Sequence, residues 1–201
     1  MPKNTHRPDR RTQIVEKATE LFGQKGYAKV SIKELATACG VTEAALYRHF
    51  RSKDAIYTAT LESLHSRLCD DEILARLAEE RDIESLLKGL ATHIVTFFTE
   101  DPTIQRLLLY SALEGHQQAI KVFDLIRGKY VRFLKKQLDV MYDAGHIVEK
   151  NNEITARCFI GMIFDCALGF SLWKGMQGKV HKPSRVIANN VPIYAGGLKK
   201  T

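Results

Sequence analysis

Residues 31–50, SIKELATACGVTEAALYRHF, read as two short helices joined by one sharp turn, and this unit dictates how the leading part of the chain must fold. Ser31 and Glu34 have the S-x-x-E spacing of a capping box, so a helix opens there and turns Ile32, Leu35, Ala36 and Cys39 inward. Gly40 follows where that helix must stop, because only glycine enters the left-handed region without a Cβ penalty. Thr42 then caps a second helix carrying Ala45, Leu46 and Phe50. Ala36 supplies the small contact at which two steeply crossing helices meet, and Val41 plugs the turn. Such a helix-turn-helix offers the start of its second helix to the major groove of double-stranded DNA.

The flanks complete a three-helix head. Asp9 as N-cap and Gly26 as stop bracket a helix with Ile14, Ala18, Leu21 and Phe22 on one face. Ser52 caps a longer helix with Ile56, Leu61, Leu64 and Leu68 inward. Beyond residue 80 the pattern predicts helices at about 83–99, 103–114, 117–144, 152–175 and 184–198. They are separated by Asp101-Pro102, Glu114-Gly115-His116, Gly145-His146, Gly175 to Gly178, and Pro183. No hairpin-bounded alternation or internal repeat occurs, so the class is all-α: an N-terminal three-helix head and a C-terminal helical body.

Charge is concentrated where the head lies. The chain carries a net +7, and residues 1–53 hold eleven Lys and Arg against five Asp and Glu, so six of the seven excess charges fall in the first quarter. A basic end on a near-neutral body is the electrostatic footprint of a DNA-binding protein. Groups suited to phosphate stand in that end: the Tyr47 hydroxyl, the His49 ring N–H, the Lys53 cation, and the backbone N–H groups at Ser31 and Thr42.

Other classes find less support. No uninterrupted apolar run of ~18 residues suggests a membrane span, and no apolar segment follows the charged start as in a secretory leader. The expectation is a soluble, cytoplasmic protein without a membrane partner. Cys39, Cys69, Cys158 and Cys166 lack metal-ligand spacing and read as free packing thiols, so no metal and no cofactor are expected. No catalytic residues are assigned, because no nucleophile elbow, phosphate-binding loop, dinucleotide fingerprint or H-E-x-x-H is present. The Asp70-Asp71-Glu72 run reads as a solvated helix face.

Residues ~12–57 resemble the DNA-binding domain of the TetR family of transcriptional regulators. The matching residues are Ile14, Ala18, Leu21-Phe22, Gly26-Tyr27, Ser31-Ile32, Leu35-Ala36, Gly40-Val41-Thr42, Leu46 to Phe50 and Ser52-Lys53. The resemblance implies a basic arm over 1–10, a DNA-binding domain over 11–56 and a ligand-binding and dimerisation domain over 57–201. It also implies phosphate contacts from Tyr47, His49 and Lys53. Thr42 would start the recognition helix, and Lys33, Glu43, Ala44 and Ala45, with Arg48 less firmly, would stand within reach of base edges. Lys33 suits guanine, Glu43 cytosine, and the alanines a thymine methyl.

The body is less explicit. Residues 154–173, ITARCFIGMIFDCALGFSLW, are apolar on most faces, with small Gly161, Ala167 and Gly169. Such a helix needs cover on more than one side, either within one subunit or from a second copy. The resemblance favours a homodimer built on this helix and the last one, which would suit a palindromic operator. It further implies a small-molecule effector, apolar or aromatic, that releases a repressor. Phe98, Tyr110, Phe123, Asp165 and Trp173 are candidate pocket residues, among other aromatic and Met positions including Phe97 and Phe164. Asp165 is read as pocket, interface or exposed helix edge, and Glu114 and His116 as candidates for ligand or hinge.

Overall fold

Ser31, Thr42 and Ser52 each cap a helix as their sequence positions predict: their hydroxyl oxygens accept from the N–H of Glu34, Ala45 and Ala55 at 3.1, 3.2 and 3.1 Å. The computed structural model describes residues 9–68, 71–115, 120, 123–148, 150–173 and 181–200. Two compact units emerge, one from residues 1–68 with 103–122 and one from residues 69–102 with 123–201.

In the first unit, α1 (Arg10–Lys25), α2 (Ile32–Ala38), α3 (Glu43–His49), α4 (Lys53–Leu68) and α7 (Thr103–Leu113) enclose one core. Helix α1 packs on α2, α4 and α7, and α2 packs on α3. Ile14, Ala18, Phe22, Leu35, Leu46, Ile56 and Tyr57 are fully buried there, which is the face the apolar spacing marked. Leu21, Ile32, Cys39 and Ala45, expected inward, are only half-buried at its margin. Gly40 turns the chain at φ 64°, and the Val41 N–H then donates to the Ala36 carbonyl at 3.0 Å. One cap differs from expectation. Asp9 precedes α1 but its side chain makes no cap bond. Glu34 accepts from the Ser31 backbone N–H, closing the capping box, and also pairs with Lys25 across the gap to α1.

The second unit contains α5 (Asp71–Leu77), α6 (Ile83–Glu100), a π-helical turn (Asp124–Gly128) running into α8 (Lys129–Asp143), α9 (Asn152–Ser171) and α10 (Pro183–Gly196). Helix α9 packs on α6, α8 and α10, and α6 also on α5 and α10. Leu90, Ile94 and Phe98 of α6 meet a core that includes Tyr130, Leu134, Phe159, Ile160 and Ile163, each at most 2% exposed. The Val148 N–H donates to the Leu198 carbonyl at 2.9 Å, tying the segment after α8 to the chain's end. Among the described residues the class is all-α, with one isolated bridge, Ile147 to Lys199, and no strand.

Several expectations change. The Asp70-Asp71-Glu72 run leads into the separate short helix α5, while Cys69 and Asp70 lie outside the described residues, as does His116. Helix α9 ends at Ser171 instead of about 175, and Gly175 to Gly178 are outside the description. Cys158 is exposed rather than core, with Cys39 and Cys166 half-buried. Although Arg157 and Asp165 interrupt its apolar run, α9 is long and apolar enough to cross a membrane, with 20 residues at mean hydropathy 1.4. Six of its residues are nevertheless buried by the rest of the chain.

Candidate nucleic-acid interface

The exposed side of α3 is set by its buried side. Leu46 is fully buried and Phe50 nearly so, which turns Glu43, Ala44, Tyr47 and Arg48 outward at helical spacing. Tyr47 is 48% exposed, an uncommon state for a large ring. Ser31, Lys33, Thr42 and His49 are also exposed, whereas Ala45 is half-buried and presents less to a base. Thus most of the residues read as DNA contacts stand on the surface of one compact unit, on or beside a capped seven-residue helix.

Two contacts that hold this surface were not legible in the sequence. The Arg10 guanidinium donates to the Cys39 carbonyl at 2.9 Å, tying the start of α1 to the turn. Arg11 lies over the Phe50 ring at 4.9 Å from its centre. Both residues had counted only as basic charge.

Lys53 is placed differently from a free surface lysine. It is half-buried, with its ammonium 4.1 Å from the centre of the Tyr27 ring, and burial lowers its pKa. The Tyr27 hydroxyl donates to the Asp54 carboxylate at 2.8 Å, and the ring stacks near Phe22 and Tyr57. The Tyr27 and Ala28 N–H groups donate to the Glu114 carboxylate at 3.0 and 3.2 Å. Glu114, read as a ligand or hinge candidate, is therefore an anchor for the loop after α1. Its neighbour Ser111 shares a hydrogen bond with the buried Tyr57 hydroxyl.

Burial, followed by the bond to Asp54, pushes the Tyr27 phenol from 10.0 up to about 12. A raised phenol pKa means the folded state favours the protonated ring. The stability it contributes is present below pH 10 and is lost as pH rises from 10 toward 12. Burial raises the Tyr57 phenol as well, so ultraviolet titration of tyrosinate should show late-ionising phenols of which Tyr27→Phe removes one. A wild-type minus variant difference titrating near 10 would mean the hydroxyl is not held.

The pocket candidates do not converge. Tyr110 belongs to the first unit, where its hydroxyl donates to the Gln24 carbonyl at 3.4 Å. In the second, Phe98 is fully buried against Phe97 and Phe164, while Phe123, Asp165 and Trp173 are exposed. Asp165 thus takes the helix-edge reading. The second unit instead has an open groove of about 660 Å³ along α5 and α6, lined in part by Leu77, Lys88, His93 and Phe97. Of the interface candidates, Ala167 and Gly169 are buried by their own subunit, and Gly161 is half-exposed. Burial within one chain leaves the first two nothing to present to a second copy. Among the described residues, no group of three or more His, Cys, Asp or Glu could hold a metal ion.

A capped pair of helices around a glycine turn, in a core of three helices, defines a helix-turn-helix protein. Residues 14–60 match the family described as "Bacterial regulatory proteins, tetR family", so this part of the chain is similar to the DNA-binding domain of that family. It is 32% identical to the nucleoid occlusion factor SlmA of Marinomonas sp. (strain MWYL1) over 114 residues, 57% of either chain, so the match spans less than two thirds of that relative. A TetR transcription regulator from Haloarcula marismortui ATCC 43049 superposes with a TM-score of 0.74 at 19% identity, covering 96% of this chain and 99% of that one. AibR, solved with isovaleryl coenzyme A and operator DNA, gives 0.68 at 21% identity, covering 92% and 97%. At such identities these two likenesses speak for the fold.

Proposed function

We propose that the chain is a homodimeric, cytoplasmic transcription regulator, and not an enzyme. It binds a palindromic operator through residues 11–56, aided by a basic arm over 1–10, and represses until a small-molecule effector binds within 57–201. The outward face of α3, with Glu43, Ala44, Tyr47 and Arg48 exposed along it behind its cap Thr42, carries this reading. Ser31, Lys33, His49 and Lys53 flank it, and base readout is assigned to Lys33, Glu43 and Arg48. AibR, a relative in fold, was solved with both operator DNA and an acyl coenzyme A, which supports pairing DNA with an effector.

Selection from random duplexes, followed by titration of the selected sequence against scrambled DNA at fixed salt, tests the reading. A regulator should prefer its site by about a thousandfold or more. Equal affinity for both would overturn it. The SlmA likeness supplies a second reading, a DNA-binding factor acting on the nucleoid rather than at promoters. Chromosome-wide binding patterns separate the two, because a regulator concentrates upstream of genes.

The homodimer is placed on the apolar residues that α9 and α10 leave uncovered. Ile154 is 57% and Ile193 66% exposed, with Cys158 and Pro192 also outward. Replacing Ile154 and Ile193 together with aspartate should yield monomers in sedimentation. Persistence of dimers would place the interface elsewhere.

A further inference from the structure

We propose that the groove along α5 and α6 binds an acidic amphiphile, an apolar chain ending in a carboxylate. This deepens, and rests on, the reading of residues 57–201 as effector-binding.

Residues Ser85, Lys88, Thr92, Thr96 and Glu100 recur every three or four positions, so one stripe of α6 runs along the groove. Helix α5 forms the opposite wall, and its Leu77 side chain occupies the space a Cβ at Gly89 would need, 2.5 Å away. That contact brings the two walls together beside Gly89. Arg76 is next to Leu77 in the chain and Lys88 next to Gly89, so both cations line the groove toward its Ser85 end. Neither forms an ion pair among the described residues.

Away from that end the lining changes character. Ile73 and Phe97 supply apolar surface, and His93 is fixed by sharing a hydrogen bond with Tyr130 at 3.1 Å. Glu100 comes last, twelve residues from Lys88, or about 18 Å along the helix. One end therefore attracts an anion, the middle accepts a chain, and the far end repels a second acid. The volume of about 660 Å³ falls within the range of small-molecule sites. Because the groove is open to water, each charge pair contributes modestly, and the acid preference should be about tenfold. Apolar contact supplies most of the affinity.

Calorimetry on the full chain with dodecanoate, dodecanol and dodecylamine, each below its aggregation threshold, tests this. Dodecanoate should bind about tenfold tighter than dodecanol and tighter still than the amine. Replacing both cations, Arg76→Gln with Lys88→Gln, should bring acid and alcohol within about twofold by removing the same attraction. Thr96→Trp, at an exposed lining position, should weaken both by filling the groove. Equal binding of acid and alcohol, no binding of either, or an acid preference surviving the double substitution would overturn the proposal. Adding dodecanoate to the operator complex reads the regulatory step separately. Acid binding that leaves operator affinity unchanged would sink the effector role and leave the site standing.

Discussion

Combining Tyr47→Phe with Lys53→Ala should weaken binding to operator and to random duplex alike, by roughly ten- to a hundredfold, and make it less salt-dependent. Phosphate contacts carry no sequence information, so both DNAs lose equally. A charged hydrogen bond contributes about 1.5–3 kcal/mol and a neutral one about 1 kcal/mol, and 1.4 kcal/mol is about tenfold. Only the lysine releases a counterion, so the slope of log affinity against log salt should fall by about one. The Lys53 ammonium rests on the Tyr27 ring in the free protein, and leaving such a seat costs about 0.5–1 kcal/mol. The lysine's share should therefore lie at the lower end. Unchanged affinity, or loss confined to the operator, would show that α3 is seated on DNA in another orientation.

A second large effect is expected at Phe22. Its ring is fully buried, meets Tyr57 edge-on at 5.0 Å and stacks near Tyr27 at 5.9 Å. Phe22→Ala removes the ring and leaves a cavity among α1, α4 and the loop that carries Tyr27. The cost should be about 3–5 kcal/mol, much of the stability of an ordinary domain. Urea unfolding should show an earlier transition with little change in slope. DNA binding should fall with the folded fraction. A loss below about 1 kcal/mol would mean that the core is not organised around this ring.

The helix-turn-helix was legible because its signals are local. Caps at Ser31 and Thr42, the stop at Gly40 and the spacing of Leu35, Leu46 and Phe50 act within a few residues of where they are read. Charge asymmetry was legible for the same reason. The attachment of Glu114 to Tyr27 and Ala28 spans more than eighty residues and leaves no trace in any short window. The pocket candidates did not converge because a cavity depends on which helices become neighbours. An aromatic at helical spacing looks alike whether it ends buried, as Phe98 does, or exposed, as Trp173 does. For α9, apolar residues on most faces concealed which face the chain covers itself. Ala167 and Gly169 looked like interface residues although the chain itself buries them.

The membership of α7 in the first unit limits how the helix-turn-helix unit can be exchanged. A chimaera that transplants only the leading sixty-odd residues onto a foreign regulator would separate the Tyr57 hydroxyl from Ser111 and the Tyr27 and Ala28 amides from Glu114. The donor segment would arrive without the acceptors that hold its loop and without one wall of its core. Recombinants that keep their grip on DNA should thus be those whose host supplies a hydroxyl and a carboxylate at those two places. In this chain the helix-turn-helix unit is built from two separate stretches of sequence that must travel together.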